Sequence, residues 1–394
     1  MNRYFADLHI HVGISESGRW VKIPTSRQLT VRTILDTAMR RKGLQIVAIV
    51  DAMSPWVQQD IELLLEEGRL VAQAGGGYRY HNGVTLLLGA EIETCEESGG
   101  MCHSLLYLPD LPAMQELTAE MSRHIRNIGL SSQNAHMPLQ RLAAIARAHE
   151  AMFVPAHVFT PHKSLYGACS RRASALLNDK DLEVVSAIEL GLSADTAMAD
   201  RIRELWCFEY LTNSDAHSPE KIGREYNLLE LAAPSYGECG LAFKRQAGRR
   251  VLENFGMDPR LGKYHQSCCE QCETIFSASS IQPDCPNCGC TKLVKGVADR
   301  IEEIADTPDG LHPAMRAKYR YHAPLYMLPG LGGKTLAKLV DQLGTEMELI
   351  HAVPLAEIER VGGRRVAAAL SAVRNGTATV QSGGGGIYGK VGLP

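Results

Sequence analysis

The chain has 394 residues, 45% of them hydrophobic, enough for two to three domains with buried cores. No apolar run is long enough to span a bilayer, which excludes an integral helical membrane protein. The formal charge of −3 does not exclude a nucleic-acid partner, because residues 311–394 carry ten Lys or Arg against five Asp or Glu, a balance of +5 suited to phosphates.

The chain opens on a predicted strand, Asn2-Arg3-Tyr4-Phe5, with no charged-then-apolar leader, so a cytoplasmic, nucleoid-associated protein is expected. Short apolar runs then recur, each ending in a side chain that binds metals. Phe5-Ala6 leads into Asp7-Leu8-His9-Ile10-His11, residues 46–50 into Asp51, residues 86–88 into Glu91, Phe153-Val154 into His157, and Tyr210-Leu211 into Asp215-Ala216-His217; His103 joins the set as an isolated histidine. Apolar runs of this length, bounded by turn residues and followed by amphipathic stretches, read as buried parallel strands. Gly75-Gly76-Gly77 reads as a turn before the strand that delivers Glu91. In a parallel α/β barrel the carboxyl ends of the strands converge, so His9, His11, Asp51, Glu91, His103, His157, Asp215 and His217 are expected at one mouth. A lone buried His is more often a hydrogen-bonded core residue. Here the mixture of imidazoles and carboxylates suits divalent ions, and it exceeds what one ion can use.

Residues 243–255 read as a polar helix, and residues 256–262, punctuated by Gly and Pro, as a boundary. Cys269-x-x-Cys272 and Cys285-x-x-Cys288 follow. Paired knuckles of this kind hold four thiolates around one structural zinc, which predicts a zinc ribbon over residues 263–297. Cys268 and Cys290 flank the set and leave its register open. The other five cysteines are scattered, as in a reduced cytosolic protein. Residues 297–304 read as a helix, and the stretch from Tyr319 to Tyr326 is aromatic and basic. Two Gly-rich helix starts close the chain: Leu328-Pro329-Gly330-Leu331-Gly332-Gly333-Lys334-Thr335 and the degenerate copy Glu359-Arg360-Val361-Gly362-Gly363-Arg364-Arg365-Val366. Glycines let backbone approach a phosphodiester and helix-start N–H groups point at it, so Gly330, Gly332, Lys334, Gly363, Arg364 and Arg365 are expected on DNA phosphates. Ordinary helix connections are the alternative, and repetition within a basic tail weighs against it. Residues 383–390, rich in glycine, leave a disordered end and an ordered element both open.

The HxH pair, the Asp after the second strand, Gly89-Ala90-Glu91, the isolated histidines and the closing Asp-x-His resemble the PHP family of metal-dependent phosphoesterases, roughly over residues 1 to 230. The resemblance implies an α/β fold, a distorted (β/α)7 barrel over residues 1–255 holding two or three metals. It puts His9, His11, Glu91 and Asp215 around one ion, with Glu91 bridging to a second held by His103 and His157. Asp51 and His217 are further ligands, Asp215, His217 and Glu91 are catalytic, and Asp7 orients an imidazole. Where relatives carry a His, this chain has Met53, so a two-metal core is expected. Zn2+ is the expected ion, with Mg2+ or Mn2+ as alternatives at the catalytic centre.

The succession of such a barrel, a zinc ribbon and an all-α helix-hairpin-helix tail over residues 298–394 resembles the endonuclease Q family over essentially the whole chain. The strings His157-Val158-Phe159-Thr160-Pro161, Ser164-Leu165-Tyr166-Gly167 and Thr212-Asn213-Ser214-Asp215-Ala216-His217 carry the likeness. It implies a DNA repair endonuclease cutting on the 5′ side of deaminated bases (uracil, hypoxanthine, xanthine) and abasic sites, in double- or single-stranded DNA. A flipped-out base would be read by Asn213 and Ser193 and stacked by Phe159 and Tyr166. A monomer is expected, with a sliding clamp as a candidate partner and no membrane association. Two other readings compete: a small-molecule phosphatase of the histidinol-phosphate type, which leaves the tail unexplained, and a non-catalytic DNA-binding factor, which the nearly full ligand set opposes.

Overall fold

The computed structural model describes residues 1–81, 83–276 and 284–393. The first part of the chain builds strands β1 (Asn2–Ile10), β2 (Ile46–Ile49), β3 (Leu70–Ala72), β4 (Tyr78–Tyr80), β5 (Val84–Cys95), β6 (Met101–Leu108), β7 (Met152–Pro155), β8 (Ile188–Glu189), β9 (Tyr210–Leu211), β10 (Tyr226–Leu231) and β11 (Arg250–Met257). Between them lie helices α1 (Val31–Asp36), α2 (Pro55–Glu66), α3 (Leu111–Met121), α4 (Leu139–Ala148), the single turns α5 (Asp179–Leu182) and α6 (Thr196–Ala199), and α7 (Tyr236–Phe243).

Seven strands follow one another around a distorted barrel. β1 pairs with β2 and β2 with β5, all parallel, while β6 is antiparallel to both β5 and β7. A Phe153–Val185 bridge leads from β7 toward β8, β8 and β9 pair in parallel, and an Ile10–Ala216 bridge returns to β1. Only β6 opposes the rest. The connection from β5 to β6, residues 96–100, is far too short for the crossover that a parallel pair needs. The expected run of parallel strands is therefore corrected to a mixed sheet, with β3 and β4 added antiparallel beside β5 and β10 and β11 beside β1. Reversal of β6 also explains His103: the start of β6 lies at the same mouth as the ends of its neighbours, opposite Glu93.

One irregularity aims the first ligands. Between Asp7 and Ile10 the β1–β2 register gains a residue on β1. Ala6 and Leu8 belong to one buried apolar cluster with Ile46, Ala48, Leu87, Leu105 and Val154, but Ile10 belongs to the other, with Val47, Ile49, Leu86 and Leu88. The bulge thus inverts the alternation, and His9 and His11 turn to the same side as Leu8.

Residues 243–255, expected as a helix, instead divide: α7 stops at Phe243 and β11 starts at Arg250. Pairing with β10 gives this polar segment the backbone partners that a helix would have supplied. β12 (Ser267–Cys269), β13 (Ile275–Phe276) and β14 (Leu293–Val294) form a separate small sheet, followed by α8 (Val297–Ile304), as expected. β15 (Lys318–His322) then returns to pair in parallel with β11. Helices α9 (Gly333–Leu343), α10 (Glu346–His351), α11 (Leu355–Gly362) and α12 (Arg364–Arg374) precede a final hairpin of β16 (Thr379–Gln381) and β17 (Lys390–Gly392). The tail is therefore not all-α, and the boundary expected at residue 255 cuts β11.

The tail is bound tightly to the barrel. Lys42 and Glu346 form a buried ion pair at 2.8 Å, and the Tyr226 hydroxyl donates to His351 Nε2 at 2.8 Å. His322, at the end of β15, packs edge-on to Tyr226 at 5.3 Å, and neither ring nitrogen is hydrogen-bonded to a described residue. Burial pushes its pKa down to about 3. Among the described residues no helix is long and apolar enough to cross a membrane.

Candidate active site

The barrel mouth gathers two groups of metal-binding side chains, His9 with His11 and Asp215, and Glu91 with His103 and His157, the donor atoms of each group lying within 4.8 Å of one another. Glu91 stands between them. Its Oε1 lies 2.8 Å from His103 Nδ1 and 3.5 Å from both His9 Nε2 and His157 Nε2, and its Oε2 lies 3.6 Å from His11 Nε2. Asp215 Oδ1 is 3.4 Å from His11 Nε2 and 3.6 Å from His9 Nε2. Buried imidazoles and carboxylates converging in this way fit two adjacent divalent ions, with Glu91 positioned to serve both. Asp215 and His157 hold φ values of +44° and +31°, strained for residues with a Cβ, as is common where chemistry fixes the backbone.

Charges around the centre reinforce one another. Burial alone would raise Glu91, yet the His103 imidazole and the Lys22 ammonium hold it well below the usual carboxylate range. Asp215 is likewise held well below despite burial, chiefly by His217 and His11. His9 is raised well above an ordinary imidazole because Glu189 overcomes its burial.

Several side chains that sequence reasoning missed position these groups. Glu189, at the end of β8, accepts from His9 Nδ1 at 3.0 Å, from the His157 backbone N–H at 2.9 Å and from Asn213 Nδ2 at 2.8 Å. Glu93 sits 3.1 Å from His103 Nε2 and 2.8 Å from Lys163 Nζ. Lys22 Nζ reaches Glu91 Oε2 and His11 Nε2, both at 2.9 Å, and Ser132 Oγ at 2.7 Å. Glu189 follows an apolar run, as the other members do, so the same strand-end signal would have found it. Nothing in the sequence marks Lys22.

Three expectations need correction. Asp51 belongs to neither group: its carboxylate receives the His11 Nδ1 proton at 3.0 Å together with the Val12 N–H and the Ser131 hydroxyl, so it orients an imidazole. Asp7, expected in that role, instead accepts from the backbone N–H groups of Ser214 at 3.0 Å and Gly223 at 2.8 Å. Asn213 does line the cavity, as expected: its amide oxygen accepts from Leu8 N–H and Asn227 Nδ2, and its NH2 group donates to Glu189, which engages one of its two hydrogens. Phe159 and Tyr166 stack on each other at 5.4 Å in the core, and the Tyr166 hydroxyl donates to Glu204. Ser193 does line the cavity. His217 also lines it but stands outside both groups, its Nδ1 at 2.9 Å from the Asp215 carbonyl and its pKa pushed by burial down to about 4. Met53 is buried in the apolar core.

The cavity above the centre measures about 730 Å³ and is lined by the cations Lys22, Lys163, Lys221, Arg224 and Lys263. Part of its wall comes from the Gly-rich stretch near the end of the chain. Gly383, Gly386 and Gly389 donate backbone N–H groups to the carbonyls of Arg260, Lys263 and Leu261, and a Cβ on Gly389 would meet Leu261 Cα at 3.0 Å. Tyr388 is thereby carried to the cavity, where its hydroxyl accepts from Arg224 Nη1 at 3.0 Å. Arg224 is buried and also donates to the carbonyls of Ser214 and Asp215. Tyr264 and His162 meet edge to face on the same lining.

Away from the barrel, Cys269, Cys272, Cys285 and Cys288 converge, with Sγ atoms 3.7 Å apart for Cys269–Cys288 and 3.6 Å for Cys272–Cys285. Cys268 and Cys290 stay outside the group. In the tail, Gly332 caps α9 and Gly363, at φ +87°, caps α12, and Lys334, Arg364 and Arg365 are exposed beside them. Gly330 lies against the Arg365 side chain, so the two helix starts adjoin.

No protein-family model matches the chain. The uncharacterized protein YqxK of Bacillus subtilis (strain 168) is 41% identical over 392 residues, 99% of this chain and 100% of the relative. The crystal structure of the lesion-specific endonuclease PfuEndoQ from Pyrococcus furiosus is 32% identical, with a TM-score of 0.84 over 100% of this chain and 96% of that one. Endonuclease Q in complex with a 27-mer duplex substrate, an abasic lesion at its active site, is also 32% identical, with a TM-score of 0.85 over 100% of this chain and 97% of that one.

Proposed function

The chain belongs to the endonuclease Q family, and from that premise we propose that it is a metal-dependent DNA repair endonuclease that cuts on the 5′ side of a damaged nucleotide held in the barrel-mouth cavity. The observation that carries this reading is Glu91, which belongs to one ligand group and lies 3.5–3.6 Å from the imidazoles of the other, beneath a cavity lined with cations. His9, His11, Asp215, Glu91, His103 and His157 would hold divalent ions, which would supply Lewis acidity toward a phosphodiester. The chain's own groups do the rest: Glu189, Asp51 and Glu93 fix the imidazoles, and Lys163, Lys221, Lys263 and Arg224 attract the phosphate backbone.

Uracil, hypoxanthine, xanthine and the abasic site are the proposed lesions, flipped out of the stack into the cavity. Ser193 and Asn213 are the polar readers, and Tyr264 and Tyr388 take over the stacking role first given to Phe159 and Tyr166. The four converging cysteines hold one structural zinc, and the paired helix starts with Lys334, Arg364 and Arg365 bind phosphates of the flanking duplex. A small-molecule phosphatase would need none of this apparatus.

The test is incubation of the protein with end-labelled duplexes carrying one uracil, hypoxanthine or abasic residue, with and without Mg2+ or Mn2+. A metal-dependent nick on the 5′ side of the lesion is expected, with undamaged duplex left whole. Release of phosphate from small esters without any nicking would overturn the reading.

A further inference from the structure

The loop between β1 and α1 has a feature that neither the metal groups nor the helix starts explain. Residues 11–30 contain no helix, and a stretch of that length in a compact domain is usually functional. It is firmly tied. Gly13 N–H donates to Leu29 O at 2.8 Å, Val21 N–H to Gly13 O at 3.0 Å and Ser26 N–H to His217 O at 2.9 Å. Val21 and Thr25 are buried, and Lys22 is anchored on Glu91 and His11. At its tip, a turn closed by Thr25 N–H on Lys22 O at 3.1 Å pushes Ile23 and Pro24 outward.

Ile23 is 66% exposed, and both residues line the cavity mouth. Burying an isoleucine stabilises a fold, so a pinned loop that leaves one in water forgoes that stabilisation. The surroundings suit DNA: Arg19 and Arg27 are exposed nearby, and residues 17–28 contain no Asp or Glu.

We propose that the Ile23-Pro24 tip is a wedge that enters the DNA base stack and fills the gap left when the target nucleotide turns into the cavity. The inference rests on the nuclease reading and adds to it the device that keeps the duplex open. Apolar side chains inserted between base steps hold a duplex partly unstacked, and a short rigid pair such as Ile-Pro gives a blunt edge with little entropy to lose. Because the preceding residue, Lys22, touches Glu91, a single residue links the depth of the wedge to the position of the catalytic groups.

The experiment compares Ile23→Ala, Ile23→Leu and Val71→Ala with the wild type on two substrates. One carries uracil paired in a full duplex, and the other carries the same uracil within a short unpaired bubble. Val71 is a control, exposed on β3 but not part of the cavity lining. For Ile23→Ala, kcat/KM on the paired duplex is expected to fall by about tenfold or more while the bubble substrate changes by less than about twofold, because the bubble has no stacking to break. Ile23→Leu and Val71→Ala are expected to match the wild type. With 2-aminopurine beside the lesion, the rise in fluorescence on binding should shrink for Ile23→Ala alone. Equal rates for Ile23→Ala and wild type on the paired duplex, or equal losses on both substrates, would overturn the wedge. A wild type that cuts neither substrate would instead overturn the nuclease reading.

Discussion

Glu189 shows how much of the centre depends on a residue that belongs to neither metal group. It fixes the His9 ring, the backbone of His157 and the Asn213 amide at once. Removing such a partner typically costs 10–100-fold in metal affinity, so Glu189→Ala is expected to weaken metal binding by about that factor, measured by titration calorimetry with the ion alone. Asn213→Ala separates two roles of the amide. Since Asn213 supports Leu8, Glu189 and Asn227 and also lines the cavity, cleavage is expected to fall at all three lesions, and further at uracil and hypoxanthine than at an abasic site. A uniform loss would leave Asn213 a support alone. The metal groups were legible because His9, His11, Glu91, His157 and Asp215 all close apolar strand runs, a pattern set by local chain geometry. Lys22, Arg224 and Tyr388 were not, because only tertiary packing brings a loop and a distant Gly-rich stretch to the same wall.

At the level of elements, the paired helix starts predict a measurable electrostatic signature. Arg364 and Arg365 are exposed beside the glycine caps, so the double substitution Arg364→Glu and Arg365→Glu is expected to weaken DNA binding at low salt and reduce the slope of log K against log salt by about 2, the loss of two phosphate contacts. An unchanged slope would mean that the helix starts face away from DNA. The four-cysteine group makes a separate claim. Cys272→Ser is expected to lower bound zinc and the Tm together, as read by metal analysis and calorimetry, since a closed thiolate site contributes folding free energy. Cysteine spacing made that group legible from sequence, as Gly-rich punctuation did for the helix starts. Strand direction was not legible: β6 and β11 take their identity from partners far along the chain, and a polar stretch such as residues 250–257 carries no local sign that β10 will accept it. The bulge in β1 was equally silent, although it alone turns His9 and His11 inward.

On the scale of the whole molecule, barrel and tail share one core and are expected to unfold together. His322 lies at that junction, buried with no hydrogen-bond partner among the described residues, and burial pushes its pKa down to about 3 from an ordinary value of 6.5. The unfolded chain therefore binds the extra proton between pH 6.5 and 3, and stability falls as pH drops through that window. His322→Phe is expected to flatten the acid side of a plot of Tm against pH while leaving neutral pH less affected; an identical acid slope would remove His322 from the account. The cavity wall draws on Val21 at one extreme and Tyr388 at the other, with Glu91, His157, Asp215 and Tyr264 between. Contacts that distant in sequence form late, because closing long loops is slow. Activity is thus the last property a refolding molecule acquires: the metal groups can gather within the barrel while the wall from the tail is still missing. A half-folded nuclease of this design lacks the surface that restrains where it cuts and the Tyr388 hydroxyl that holds Arg224, the side chain beneath the Asp215 carbonyl. In a refolding experiment, cleavage should recover with the slowest phase rather than with the barrel, so that competence to break DNA arrives only with the finished molecule.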